Sequence, residues 1–178
     1  MPQRKLVLFT DIGDTIIDEG TEVRDVPGGV VKRAECLPGA RETMLSLYGQ
    51  GYTIAMVADG LAQSFHNTMT QHGLDHIFAA KAISEAVGAE KPDPRMFQSA
   101  MDQLGLTGRD KRRILMIGNR IPRDVAGANA FGLRSALLRC SPRYRDEWTP
   151  DAEQPDYVLD APEELPALLQ RIEAELDD

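Results

Sequence analysis

Asp11 closes a short apolar run, Leu6-Val7-Leu8-Phe9, and the turn residues Gly13, Asp14 and Thr15 follow it at once. A carboxylate delivered at the end of a strand can ligate a metal or act as a nucleophile, although the same residues also suit an ordinary capped turn. Three later stretches bear on that choice. Ala58-Asp59-Gly60 follows a second apolar run and leads into a helix whose first N–H groups could hold an anion. Glu90-Lys91-Pro92-Asp93-Pro94 supplies a lysine, and Gly118-Asn119-Arg120-Ile121-Pro122-Arg123-Asp124 supplies an amide and a carboxylate after a third run. Magnesium takes oxygen ligands and keeps several waters, so Asp11, Asn119 and Asp124 form a candidate set. Lys91 would offset the charge of a bound phosphate and of the carboxylates. Arg120 and Arg123 either meet negative groups of a substrate or lie solvated on their loop.

These residues need elements to bring them together. Strands are expected at Leu6–Phe9, Tyr52–Val57, Ile114–Ile117, Ser135–Leu138 and Tyr157–Leu159, with a short one at Ile77–Ala79 or Ala82–Ile83. Their near-continuous apolar runs suit strands covered on both faces. Helical spacing marks Ala40–Tyr48, Leu61–Gln71, Pro94–Leu104, Asp124–Phe131 and Pro162–Leu176, several of them stopped by glycine. Alternation of strand and helix gives an α/β, doubly wound fold with a parallel sheet. Residues 18–37 break the alternation: Thr21–Val26 and Val30–Ala34 alternate around Pro27-Gly28-Gly29, which predicts a β-hairpin flap over the crevice beyond Asp11.

Composition bounds the partners. A chain of 178 residues with 42% hydrophobic and 27% charged residues is expected to fold as one globular domain. The net charge of -8 argues against nucleic acid and anionic membranes, and no run approaches the roughly 20 apolar residues of a membrane span. Arg4 and Lys5 precede an apolar run too short for a signal peptide, so a cytoplasmic location is expected. Acidic residues gather at the end, where Asp177 and Asp178 follow Glu163, Glu164, Glu173 and Glu175. The basic runs Arg109–Arg113 and Arg139–Arg145 are read as solvated faces. Cys36 and Cys140 have no CxxC or metal-like companions and are expected as free thiols. His72 and His76 stand four apart, but Gly73 and Asp75 indicate a turn there rather than a metal-binding helix. Trp148 is expected to pack against the body.

The order and spacing of these motifs resemble the haloacid dehalogenase superfamily. Lys91-Pro92-Asp93-Pro94 with Phe97 is similar to its lysine motif; Ile117-Gly118-Asn119 through Asp124, with Gly127-Ala128 and Phe131-Gly132, is similar to its acidic motif; and Leu37-Pro38-Gly39-Ala40 precedes the first full helix as in the family. The resemblance implies a Rossmann-like three-layer sandwich without a cap domain, and a magnesium-dependent phosphatase working through an aspartyl-phosphate. It makes Asp11 the nucleophile and a metal ligand, and gives Lys91 the phosphoryl oxygens. Asp124, Asn119 and the Gly13 carbonyl become metal-side groups, and Ala58, Asp59 and Gly60 the phosphate loop.

Three positions depart from the family pattern. Gly13 stands where the family's phosphatases carry a second aspartate that protonates the leaving group, a contribution of roughly 10²–10⁴-fold. Asp14, one residue further on, would have to reach round against the turn geometry. Ala58 lacks the usual hydroxyl, leaving only the backbone N–H groups of Asp59 and Gly60, and Asn119 replaces an aspartate. Without a cap, the expected site is open and suits a bulky phosphorylated substrate or a partner subunit that completes the lid. The primary reading is hydrolysis of phosphate monoesters with an altered acid–base arrangement. Its alternatives are a degenerate member that binds metal, phosphate or a protein without turnover, and a dehalogenase-like hydrolase.

Overall fold

A central strand lined by alternate apolar residues on both faces organises the molecule. The computed structural model describes residues 6–176; Arg4, Lys5, Asp177 and Asp178 lie outside the described residues. In chain order the strands and helices are β1 (Val7–Thr10), β2 (Val23–Arg24), β3 (Val31–Arg33), α1 (Ala40–Gly49), β4 (Thr53–Ala58), α2 (Ala62–Gln71), β5 (Phe78–Ile83) and α3 (Ser84–Val87). There follow α4 (Pro94–Gln103), β6 (Ile114–Gly118), α5 (Ala126–Phe131), β7 (Arg134–Leu138), β8 (Tyr157–Leu159) and α6 (Leu165–Glu175). The six-stranded sheet has the order β5-β4-β1-β6-β7-β8, and every pairing in it is parallel.

Side-chain alternation in the strands sorts the core into two layers. Leu8, Ile54, Met56, Leu115 and Ile117 face α1, α2 and α6 through Met44, Leu47, Met69, Leu168 and Ile172. Val7, Phe9, Val57 and Met116 face α4 and α5 through Met96, Phe97, Met101 and Ala128. The result is the three-layer sandwich that the resemblance implies, with Met44, Met56, Met69, Met96, Met101 and Met116 buried in its core. Chain direction across the sheet reverses at β1: β4 and β5 are added on one side, and β6, β7 and β8 on the other. That switch point opens a crevice at the carboxyl ends of the strands, where Asp11, Asp59 and Asn119 emerge.

Several boundaries differ from expectation, the last helix for one beginning at Leu165 rather than Pro162. The alternatives Ile77–Ala79 and Ala82–Ile83 fall along the one strand β5, with Ile77 closing the 3-10 turn just before it. The helix expected over Asp124–Phe131 begins only at Ala126, and a π-helical turn, Ile121–Val125, precedes it. The hairpin is present as β2 paired antiparallel with β3, shorter than the alternation predicts and turned at Pro27-Gly28-Gly29. It is tied to the body where the Val31 N–H donates to Ser64 Oγ (2.9 Å) and Asn67 Nδ2 donates to the Val31 carbonyl (2.9 Å). No domain-sized insertion is present among the described residues, and no helix is long and apolar enough to cross a membrane.

Cys36 and Cys140 are free and half-buried. Burial pushes the Cys36 thiol up to about 11, with the Glu42 and Glu35 charges acting in the same direction against Arg41. Only the thiolate attacks disulfide reagents, so at pH 8 Cys36 should react roughly 100-fold more slowly than an ordinary thiol. Labelling of the native protein with Ellman's reagent at pH 8 is therefore expected to be slow, with both thiols released in urea. Rapid stoichiometric labelling without denaturant would contradict this. Trp148 packs with Ile121, Val125 and Leu137, as expected.

Candidate active site

Lys91 holds the site together. Its ammonium is almost fully buried and donates to Asp11 Oδ1 (2.8 Å), Asp124 Oδ1 (2.7 Å) and the Val57 carbonyl (2.8 Å). An ammonium has three donors, and all three are used. Burial works against this charge, but Asp11, Asp124 and Asp59 outweigh it and hold the Lys91 pKa above its ordinary value. Burial pushes Asp11 the other way for a carboxylate, up to about 7, with Lys91 opposing and Asp124 adding to the rise.

The local sequence explains how the lysine arrives there. Asp93 caps α4, accepting from the Arg95 N–H (2.9 Å), and Pro94 occupies the first helical turn, where a missing N–H costs little. The chain just before this cap is fixed by Asp59 Oδ1, which accepts from the Lys91 N–H (2.9 Å). Asp124 sits in the π-helical turn, and its Oδ2 accepts from the Arg120 N–H (3.0 Å). Glycine at 118 is required here, because a Cβ at that position would overlap the Asp124 carboxyl group.

A pocket of about 280 Å³ lies over this cluster. Asp11, Gly13, Lys91, Asn119 and Asp124 reach it from the sheet edge, and Glu19, Glu22, Arg24 and Val31 wall it from the flap side. The hairpin thus narrows the crevice that the sequence leaves open. Arg120 and Arg123 also line the pocket, and neither is simply solvated. Arg120 Nε donates to Glu147 (2.7 Å) and its guanidinium lies 3.7 Å from the Tyr144 ring, whereas Arg123 donates to Asp59 Oδ2 (3.1 Å).

The expected phosphate loop is built differently. Ala58 is buried as the last residue of β4 and is absent from the pocket wall. The Gly60 N–H donates to Ser84 Oγ (2.8 Å), and the Ala62 N–H at the start of α2 donates to Glu85 Oε2 (2.8 Å). Two residues of α3 therefore occupy donors that the sequence left for an anion. Asp59 lines the pocket, but its carboxylate serves Lys91 and Arg123. Of the expected phosphate-binding residues, Lys91 alone presents a charged donor, and it lies between Asp11 and Asp124.

Asp14 does not reach round. It is fully buried with φ 51°, and its two oxygens accept from Arg143 Nε (2.6 Å) and Nη2 (2.5 Å). Arg143 also pairs with Asp18, so one member of the basic run read as solvated locks the flap to the loop after Asp11. Glu19, Arg143 and Tyr144 were not visible in the sequence as site residues. Among the described residues, no group of three or more His, Cys, Asp or Glu side chains could hold a metal, and His72 is spent on the Ala34 carbonyl (2.7 Å). The oxygens that share the pocket fit magnesium instead, which needs only one or two carboxylates plus waters and substrate oxygens. Asn119 is buried, and among the described residues its Nδ2 has no partner and its Oδ1 accepts one long bond, from Thr15 (3.5 Å). An amide so placed faces a group that the protein does not supply.

A parallel sheet whose switch point gathers a strand-end aspartate, a buried lysine and a second aspartate defines a doubly wound α/β fold with a carboxylate cluster at its crevice. The family described as haloacid dehalogenase-like hydrolase matches residues 13–138, and the chain belongs to that family. It is 32% identical over 129 residues to a glyceraldehyde 3-phosphate phosphatase of Methanopyrus kandleri, covering 72% of this chain and 54% of the relative. A Pyrococcus furiosus protein of the same name is 30% identical over 139 residues, covering 78% of this chain and 55% of the relative. The chain thus spans about half the length of these curated relatives. Among solved structures, the putative HAD-hydrolase YfnB of Bacillus subtilis superposes with a TM-score of 0.74 at 17% identity, over 94% of this chain and 99% of that one. A HAD phosphatase of Thermococcus onnurineus gives 0.72 at 18% identity, over 92% and 97%. Both likenesses concern the fold.

Proposed function

We propose that the chain hydrolyses phosphate monoesters through a covalent aspartyl-phosphate on Asp11. The observation that carries this reading is the Lys91 ammonium, fixed between Asp11 and Asp124 at the floor of the pocket. Phosphoryl transfer is mainly positioning and charge stabilisation, and a cation whose every donor is already placed costs no reorganisation when the reaction occurs. One Asp11 oxygen attacks phosphorus, the bond to the leaving oxygen breaks, and water then releases phosphate and restores the carboxylate. Magnesium, held by Asp11, the Gly13 carbonyl, Asn119 and Asp124, would supply Lewis-acid and clamping chemistry when bound.

The substrate class follows from the pocket and from the relatives. A volume of about 280 Å³ under a flap suits a small phosphorylated molecule, and Arg24, Arg120 and Arg123 on its wall suit further negative groups. The curated relatives are named for small phosphorylated compounds, which supports the same class. A colorimetric phosphatase screen with magnesium tests the reading: Asp11→Asn is expected to fall to the background rate. Equal rates in the two proteins would instead leave a chain that binds without turnover.

A further inference from the structure

Gly13 lies in the pocket wall two residues past the nucleophile, and the space above it is filled. A Cβ built on Gly13 would overlap Glu19 Oε1 and come within 2.9 Å of Glu19 Cδ. The carboxylate of Glu19, from the first turn of the flap, therefore occupies the volume that a side chain at position 13 would take. It lines the same pocket as Asp11, Lys91 and Asp124. We propose that Glu19 is the acid–base residue of this site, donating the leaving-group proton and then accepting one from the attacking water.

The surroundings place this group with care. The Glu19 N–H donates to Asp14 Oδ1 (3.2 Å), and Asp14 is itself clamped by Arg143. The Tyr144 hydroxyl donates to Glu19 Oε2 (3.3 Å), which leaves Oε1 as the oxygen directed over Gly13. Each of the other carboxylates on the pocket wall accepts from a cationic side chain. Asp11 and Asp124 are engaged by Lys91, Asp59 by Lys91 and Arg123, and Glu22 by Arg24 (2.5 Å) on the flap.

The role rests on the proposed aspartyl-phosphate reading, and its steps balance. As the Asp11–phosphorus bond forms and the bond to the leaving oxygen breaks, the Glu19 carboxyl proton passes to that oxygen and an alcohol departs. The Glu19 carboxylate then takes a proton from water as the water oxygen bonds to phosphorus. The Asp11–phosphorus bond breaks, phosphate leaves, and both side chains return to their starting states.

The test compares wild type, Asp11→Asn and Glu19→Gln on an alkyl phosphate and on p-nitrophenyl phosphate, with magnesium present and thermal melts to confirm folding. A nitrophenolate departs without protonation, whereas an alkoxide does not. Glu19→Gln should therefore lose roughly 10²–10⁴-fold on the alkyl ester. On the aryl ester it should release a stoichiometric burst of nitrophenol and accumulate phosphorylated protein. Glu19→Ala/Gly13→Asp, which moves the carboxylate into the same space from the nucleophile loop, should regain at least tenfold over Glu19→Ala. The assignment falls if Glu19→Gln keeps alkyl phosphate turnover within threefold of wild type while Asp11→Asn is inactive. It falls equally if the double variant gains nothing, which would trace the loss to flap structure. Wild type and Asp11→Asn at the same rate would overturn the hydrolytic reading itself, and with it this role.

Discussion

Lys91→Met is expected to abolish turnover and to lower stability by about 3–5 kcal/mol, the range for removing one partner of a buried ion pair. Methionine fills most of the volume, so the loss measures charge rather than packing. Without the ammonium, the Asp11 and Asp124 carboxylates face each other with little exposure to water, and the Val57 carbonyl loses its donor. The sign with pH is definite. Burial and Asp124 already raise Asp11 to about 7, and Lys91 is the group that opposes them. Its removal raises the carboxylate further, so the folded variant gains stability by binding a proton as pH falls. The difference between variant and wild type should be larger at pH 8 than at pH 5 in urea unfolding followed by far-UV circular dichroism. A difference that is the same at both values would show that Asp11 does not depend on Lys91 for its charge.

The sheet was legible because its strands are apolar on both faces: Val7 and Phe9 serve one layer and Leu8 the other, so the run is continuous and strand-length. Lys91 and Asp124 were legible because their loops carry local signals, the Pro94 and Asp93 cap in one case and Gly118 in the other. The helix expected to begin at Asp124 fails for a physical reason. Residues 120–125 widen into a π-helical turn, with Arg120 as the carbonyl acceptor for both Asp124 and Val125, and helical periodicity does not register this. The partners of the Gly60 and Ala62 N–H groups were hidden for another, since Ser84 and Glu85 reach them from a helix that the spacing of apolar residues did not reveal. Glu19 was hidden differently. Gly13 reads as a missing side chain, and nothing in a linear pattern says that a carboxylate folds back to fill the place. The contact that fixes this fold-back joins Arg143 to Asp14 and Asp18 across most of the chain, through a loop without periodicity.

That distant arginine makes the second large prediction. Arg143→Ala should cost about 2–3 kcal/mol: Asp14 is fully buried and would lose the charged partner that pairs with it, but Arg143 is partly exposed, which weakens the pair. Lysine is a poor substitute, because the planar fork meets both oxygens of Asp14 and reaches Asp18 as well. Stability and turnover should then separate. Adding Asp14→Asn to Arg143→Ala removes the orphaned buried charge and should restore much of the melting temperature. Turnover should stay low, since the Glu19 N–H still lacks the anchored carboxylate that holds the first turn of the flap over Gly13. A double variant that recovers melting temperature and alkyl phosphate turnover together would mean that Arg143 supports the fold alone. Recovery of melting temperature without turnover would mean that the clamp exists to aim Glu19.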